Sequence, residues 1–545
     1  MSDLIRAELQ RVAEVLRGNG ASFVLERPRD QGHGDLATNL AMVLAKELKQ
    51  KPRDLARQVI EEIKLPSSVI SKMEIAGPGF INFWLAADEL SALLATILAQ
   101  GVAYGRSDMG RGVWVNVEFV SANPTGPLHV GHGRGAALGD AIAALLQATG
   151  HDVVREFYIN DAGSQIDKLA QSLWARVQQA VGRSAEVPEG GYHGLYLTET
   201  ADQILAQEGK GFADLPEAEG IRRSRDIALT TQRQEQDALL ADFGVRFEVM
   251  TSEQQIYDSG KAQHALDVVA KRGLTYEQEG ALWIRTSNFG DDKDRVLRKS
   301  DGSYTYLAPD IAYHLDKLER GFQRAIDVWG ADHHGYVPRL RSLLKAMGAP
   351  DDFFEVALVQ LVKVVRGGEE VKMSKRSGEF VTLRDLLDEV GVDAARYFFL
   401  MRQGSSPFTF DVDLATRHTD ENPVYYVQMA HARMSGIFRV AEREPESVSG
   451  DVSLEALPAP EDLELLKKLA VYPEVVVKAA RMREPHRVTD YLEDLARLAH
   501  GWYHKCRVLG EPPPTEAARL ALARAARIVL GNGLSLLGIT APDRM

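Results

Sequence analysis

Cysteine is almost missing from this chain: Cys506 is the one thiol in 545 residues. That excludes an internal disulfide and any zinc site built on cysteines. It suits a reducing cytoplasm, the expected compartment. No run approaches the ~18 consecutive apolar residues of a membrane span, and no internal repeat or low-complexity tract occurs. Positive charge is in deficit, with 64 basic against 77 acidic residues and a net charge of −13. Nucleic-acid binders are often basic, so this balance counts against RNA binding by the surface as a whole. It leaves room for a local basic groove on an acidic body. The first residues, Met1-Ser2-Asp3-Leu4-Ile5-Arg6, open an amphipathic helix, not a signal peptide.

What is present is globular. Hydrophobic residues make up 45% and charged residues 26%, usual for a soluble protein. The length suits about three or four domains. Helical spacing of apolar residues predicts helices at 4–16 and 36–48, then two strands around Gly77-Pro78-Gly79, a helix over 90–100 and a linker at 101–105. The β-branched run Val113-Trp114-Val115-Asn116-Val117-Glu118-Phe119-Val120 predicts a strand, followed by a glycine-containing turn and an Ala/Leu-rich helix over 131–149. Strand, turn, helix opens a nucleotide-binding α/β domain. Further strands are predicted at 153–159, 325–329 and 354–359, with an insertion at about 184–214. Beyond Asn422 no strand signal survives; helices are predicted over 424–441, 461–482, 486–506 and 515–530.

Two segments carry chemistry. The first is Ala122-Asn123-Pro124-Thr125-Gly126-Pro127-Leu128-His129-Val130-Gly131-His132. Its histidines stand at the mouth of a helix, whose N-terminal N–H groups and dipole favour an anion. Imidazoles there can donate to phosphate oxygens. The alternatives are a zinc pair at i, i+3, which lacks a cysteine third ligand, or incidental surface histidines. The second segment is Lys372-Met373-Ser374-Lys375-Arg376. It suits a loop closing on pyrophosphate; alone it would read as a solvated charged turn. The pairing of the two segments, in this order, favours chemistry at the α-phosphate of ATP.

His-Val-Gly-His and Lys-Met-Ser-Lys resemble the two signatures of class I aminoacyl-tRNA synthetases. Further segments resemble the arginyl-tRNA synthetase family: 118–129, Tyr158-Ile159-Asn160-Asp161-Ala162-Gly163-Ser164-Gln165, Asn422-Pro423-Val424-Tyr425-Tyr426-Val427-Gln428-Met429-Ala430-His431-Ala432-Arg433, Gly34-Asp35-Leu36-Ala37-Thr38-Asn39, 76–82 and Ala541-Pro542-Asp543-Arg544-Met545. The resemblance spans nearly the whole chain. It implies an α/β multidomain fold: a Rossmann-type parallel-sheet catalytic domain, an N-terminal α+β module and a C-terminal all-α helical bundle. The expected division is 1–105 on the tRNA elbow, 106–385 for catalysis with an insertion around 165–270, a stem at 386–421 and an anticodon-binding bundle at 422–545.

The implied activity is arginine–tRNA ligation in two steps, arginyl-adenylate formation and then transfer to the terminal ribose of tRNA(Arg). ATP enters with Mg2+, and no structural metal is expected. The protein is expected to be monomeric and to have no membrane partner. His129 and His132 are assigned to the nucleotide phosphates, Lys372 and Lys375 to the leaving pyrophosphate, with Met373 and Ser374 in the same motif. A planar guanidinium wants a carboxylate that accepts two parallel hydrogen bonds, which points to Asp310, with Tyr306 on the same helix face at i, i+4. The resemblance implies that these two line the L-arginine pocket and that Glu118, Asn123 and Gln360 hold the amino acid's polar groups. Tyr425, Tyr426, Trp502 and Tyr503 are candidates for stacking on anticodon bases, although their spacing also fits a bundle core. The chain departs from the family at Asp393-Ala394-Ala395-Arg396, where Ala395 replaces leucine, and at Met429, where the family often has tyrosine.

A pocket built for a forked cation leaves polar groups unpaired with the wrong amino acid, and rejects it by factors on the order of 10⁴–10⁵ without proofreading. No editing activity is therefore expected. Enzyme-dependent hydrolysis of mischarged tRNA(Arg), followed by acid-gel electrophoresis, is the result that overturns this.

Overall fold

The computed structural model describes residues 2–28, 31–67, 69–371 and 381–545. The N-terminal module carries helices α1 (Ser2–Arg17), α2 (Leu40–Leu48), α3 (Pro52–Glu62) and α4 (Ala87–Gln100) around an antiparallel sheet of β1 (Leu25–Glu26), β2 (Leu36–Thr38), β3 (Ile70–Ala76) and β4 (Phe80–Leu85), in the order β1-β2-β4-β3. The expected linker at 101–105 is not free chain. Tyr104 is buried, and Asn532 Nδ2 donates to the carbonyls of Gly101 (3.0 Å) and Tyr104 (3.1 Å).

The central sheet is fully parallel. Its strands are β5 (Trp114–Glu118), β6 (Asp152–Ile159), β7 (Val249–Ser252) and, after a small β8 (Thr275–Gln278), β9 (Ala281–Ile284), β10 (Arg295–Arg298) sheet, β11 (Arg324–Gly330) and β12 (Phe354–Val359). Their spatial order, β12-β11-β5-β6-β7, is the doubly wound 3-2-1-4-5 order. The order reverses between β5 and β11, and ligands bind outside the carboxyl ends of strands at such a switch point.

Helix α5 (Val130–Ala148) follows β5 and is buried almost throughout. Its small residues are what permit this. A Cβ at Gly139 would sit 2.2 Å from the Phe119 ring, and one at Gly133 would sit 2.5 Å from Leu383. Between β6 and β7 run α6 (Ser164–Ala180), α7 (Leu195–Glu208) and α8 (Glu217–Asp242), with their own apolar cluster about Leu173, Trp174 and Phe212. Then come α9 (Glu253–Asp258), α10 (Lys261–Lys271), α11 (Leu307–Glu319) and α12 (Val337–Ala346).

Helix α11 lies across the sheet for a readable reason. Register pairing sets Asp327 beside Glu118, and Glu118 beside Glu156, so three carboxylates stand in a row on adjacent strands. Like charges side by side repel, and burial makes it worse. The last turns of α11 answer at i, i+3, i+6. His314 Nε2 meets Asp327 at 2.8 Å, Lys317 Nζ bonds both Asp327 (2.9 Å) and Glu118 (2.6 Å), and Arg320 reaches Glu156 at 2.7 Å.

The rest of the chain is a three-stranded sheet of β13 (Val362–Arg366), β14 (Glu369–Glu370) and β15 (Phe408–Asp411) with α13 (Leu383–Val390), α14 (Val392–Leu400) and α15 (Val412–Ala415), then a bundle of α16 (Pro423–Val440), α17 (Pro460–Ala470), α18 (Tyr472–Met482), α19 (His486–Lys505) and α20 (Pro513–Leu536). The single helix expected over 461–482 is two: Pro473 lacks an N–H to continue the ladder and starts α18 instead. The strand β15 was not foreseen. No described helix is long and apolar enough to cross a membrane.

The string Asp393-Ala394-Ala395-Arg396 fastens this bundle. Asp393 accepts from Gln428 Nε2 (2.8 Å) and from the Thr540 N–H (3.0 Å). Arg396 is fully buried and donates to Leu537 O (2.9 Å), Phe243 O (3.0 Å) and Asp140 (2.6 Å). Arg396→Met strips three acceptors at once. It is expected to cost about 3–5 kcal/mol, read as a lowered urea midpoint of tryptophan fluorescence.

Candidate active site

Over the carboxyl ends of β5, β11 and β12 lies a cavity of about 770 Å³, lined by Val120, Ser121, His129, His132, Trp329, the 330–334 segment, Gln360 and Leu361. The chain leaves β5 by an unusual turn: Val120 and Ser121 have φ of +68° and +40°. For a β-branched residue this is a genuine outlier. Such strain costs on the order of 1–3 kcal/mol per residue and persists only where the surroundings hold it. Here Ser121 Oγ donates to Glu118 Oε1 (2.8 Å) and accepts from the Tyr158 N–H (3.1 Å).

His129 caps α5. Its Nδ1 accepts from the N–H groups of Gly131 (3.1 Å) and His132 (3.3 Å), while His132 Nδ1 accepts from the His129 N–H (3.3 Å). The two rings stack at 3.7 Å. This corrects one expectation. The first N–H groups of the helix are already partnered, Val130 N–H included, which meets Val381 O at 3.3 Å. They do not form an open anion cradle. What the site offers is imidazole: burial lowers the affinity of both rings for a proton, that of His132 to about 3, with His129 adding to it. A neutral ring whose Nδ1 accepts carries its proton on Nε2, so each histidine is a neutral Nε2 donor.

The 122–128 loop is held from the insertion. Gln236 Nε2 donates to the carbonyls of Asn123 (3.1 Å) and Gly126 (3.0 Å), and Tyr196 Oη donates to Thr125 O (2.6 Å). Asn123 Nδ2 donates to Gln165 (2.6 Å). Gln360 is fixed through its carbonyl, which accepts from the buried Arg134 (2.9 Å). Lys372, Met373, Ser374 and Lys375 lie outside the described residues. The described Leu383 ties its N–H to Leu128 O (2.7 Å), beside the histidine motif.

Next to this cavity is an acidic cluster. Asp310, in the first turn of α11, accepts from Tyr336 Oη at 2.5 Å, and the Tyr336 ring packs 5.9 Å from Trp329 of the cavity wall. Burial raises its carboxyl above the usual range, against the pull of Tyr336. Glu253, first residue of α9, is pushed up to about 7 by burial and by the charges of Asp310 and Asp161. Asp161 accepts from Ser252 Oγ (2.7 Å) and the Gln254 N–H (3.0 Å). Among the described residues, no lysine or arginine pairs with any of the three. Tyr306 stands at the rim, 63% exposed, its oxygen accepting from Arg339 (2.8 Å).

The sequence-assigned residues thus separate. His129, His132 and Gln360 line the cavity, and Tyr306 and Asp310 flank it. Glu118 does not reach its wall: it is 6% exposed, and its two oxygens are held by Lys317 and Ser121. Trp502 is fully buried and donates to Asp462 (2.7 Å), a core role that removes it from base stacking; Tyr503 is 42% exposed, and Tyr425 and Tyr426 are half-buried. Glu118, His314 and Asp327 could also be read as a metal triad, but the Lys317 ammonium is bonded to two of the three. Glu253, Tyr336 and Lys317 were missed. The one local signal at Glu253 was Ser252 before it, which caps α9.

Residues 93–402 match the family of class I tRNA synthetase (R) catalytic domains, so the parallel sheet and its histidine-capped helix are those of a class I aminoacyl-tRNA synthetase. Residues 1–85 match the arginyl-tRNA synthetase N-terminal domain and 427–545 the DALR anticodon-binding domain. The chain belongs to the arginyl-tRNA synthetase family. An arginine–tRNA ligase of Geobacillus kaustophilus is 49% identical over 100% of this chain and 98% of its own length. One of Moorella thermoacetica is 48% identical over 96% and 94%. The Thermus thermophilus arginyl-tRNA synthetase structure shares the fold at a TM-score of 0.77, with 24% identity and full coverage of both chains.

The Glu253 carboxyl sets a pH test. Below about 7 it is mostly the neutral acid and above it mostly carboxylate; a cationic ligand favours the carboxylate. Arginine binding by calorimetry is therefore expected to tighten about tenfold from pH 6 to pH 8. Glu253→Gln should bind more weakly and with a flat profile. A flat profile in the unmodified protein would remove Glu253 from the arginine site.

Proposed function

We propose that the protein acts as an arginine–tRNA ligase and that its acidic cluster and its histidine-lined cavity hold the two small substrates side by side. The observation that carries this is the gathering of Asp310, Glu253 and Asp161, unmatched by any described basic side chain, against a nucleotide-sized cavity at the switch point. A guanidinium supplies the missing cation and five donors. Tyr306 closes the rim over it, and Asn123 and Gln360 take the α-amino and carboxylate end.

In the first step a carboxylate oxygen of arginine attacks the α-phosphorus of Mg-ATP, and the bond to the β-phosphate breaks, releasing pyrophosphate. Catalysis of this kind is mainly positioning and charge stabilisation. The Nε2–H groups of His129 and His132 donate to phosphate oxygens, and Lys372 and Lys375 take the charge of the leaving pyrophosphate. In the second step a hydroxyl of the 3′-terminal ribose of tRNA(Arg) attacks the acyl carbon and AMP leaves. The N-terminal module rests on the tRNA elbow and the α16–α20 bundle on the anticodon, with Tyr425, Tyr426 and Tyr503 the stacking candidates. The near-absence of cysteine suits a reducing cytoplasm, and a monomer is the state the family resemblance implies.

ATP–pyrophosphate exchange across a panel of amino acids, with and without tRNA(Arg), tests the reading. Exchange is expected with arginine and no other amino acid, and only when tRNA(Arg) is present; full-rate exchange without tRNA removes the tRNA requirement and leaves the ligase reading standing. Asp310→Asn should lower kcat/KM for arginine about 10²–10³-fold while leaving the KM for ATP near its original value. Exchange with a different amino acid, or an unaffected Asp310→Asn enzyme, overturns the assignment.

A further inference from the structure

The row of Asp327, Glu118 and Glu156 asks for a reason. Buried strands of a parallel sheet are ordinarily apolar, and a buried ion network is seldom more stable than well-packed hydrophobic residues of equal volume. Stability alone does not account for it. Its distinguishing property is where it ends. Lys317 Nζ, itself fully buried, grips Asp327 on one strand and Glu118 Oε2 on the next. The other oxygen of Glu118 accepts from Ser121 Oγ. Ser121 is the second residue of the positive-φ turn, and both residues of that turn line the cavity.

We propose that Lys317 is a positioning residue for adenylate formation: through Glu118 and Ser121 it clamps the strained Val120–Ser121 turn, and so sets the wall on which ATP rests. The relay runs from α11 to Asp327 and Glu118 and out to the turn. Helix α11 also carries Asp310, so the helix that presents the arginine-side carboxylate fixes the nucleotide-side wall as well. The proposal rests on reading the cavity as the ATP site.

The test is pyrophosphate exchange at saturating amino acid and tRNA(Arg), with thermal midpoints measured alongside. Ser121→Ala cuts the relay at its exposed end, Ser121→Thr keeps the hydroxyl, and Lys317→Gln weakens the buried end. Ser121→Ala is expected to raise the KM for ATP about tenfold, with the thermal midpoint near that of the unmodified protein, and Ser121→Thr to restore most of the loss. The double variant Ser121→Ala/Lys317→Gln should be no worse than Lys317→Gln alone, since each breaks the same chain. Losses that multiply in the double variant would show that Ser121 and Lys317 act separately, and that overturns the relay. If Lys317→Gln yields no folded protein, the serine pair decides: an unchanged KM for ATP in Ser121→Ala overturns it too. If the unmodified enzyme exchanges with an amino acid other than arginine, the arginine assignment fails, and the relay is tested with that amino acid instead.

Discussion

Three carboxylates on adjacent strands, at matched register, dictate how this protein is put together. Asp327, Glu118 and Glu156 cannot share the middle of a sheet without cations. Helix α11 brings them, at His314, Lys317 and Arg320. Once those bonds form, neither the rotation of the helix nor its position along the sheet is free. Its opposite end then presents Asp310 at one edge of the strand ends and leaves Tyr306 at the rim. Under the proposed function, the placement of the arginine-side groups is inherited from an ion network that begins one turn further along the same helix, where His314 Nδ1 meets Asp310 O at 2.8 Å.

The histidine pair shows a second economy. The same two side chains close the N-terminus of α5 and furnish the cavity with donors. Capping uses Nδ1 and fixes the tautomer, and burial keeps both rings neutral. A neutral donor suits a site whose ligand changes charge distribution during reaction. Under the proposed function it orients a phosphate oxygen without holding the pyrophosphate product by a full ionic bond, and positive charge falls to Lys372 and Lys375. The acidic cluster lies beside the cavity, so that a cationic amino acid bound there would be favoured both by the carboxylates and by an anionic nucleotide.

Much of this was legible in the sequence, and the part that was not has a common cause. The run from Val113 to Val120 with the glycines after it announced strand, turn and helix, because period and turn chemistry are local. The apolar spacing of the C-terminal helices was equally plain; the error at 471–473 came from reading through Pro473. Lys317 was invisible: one lysine on an amphipathic helix reads as a solvated side chain. Its burial follows from strand neighbours that lie far away in sequence. Glu253 was hidden for the same reason, in a stretch read as insertion. Trp502 was ambiguous because an aromatic at helical spacing fits a core as well as a surface; the partner that settles it, Asp462, sits 40 residues earlier.

Under the proposed function, the acidic cluster also accounts for a preference for guanidinium over ammonium. One carboxylate would attract either. Here two of the acceptors are fixed: Asp310 by Tyr336, and Asp161 by Ser252 and the Gln254 N–H. A planar fork with five donors can meet several fixed acceptors at once, whereas a compact ammonium has three donors on one atom. With the wrong cation, a carboxylate already reluctant to be charged stays unpaired. Burial and the charges of Asp310 and Asp161 raise the proton affinity of Glu253. The repulsion that burdens the free enzyme is relieved by the ligand that matches the fork, so discrimination arises from the same crowding of like charges that the sheet resolves with Lys317.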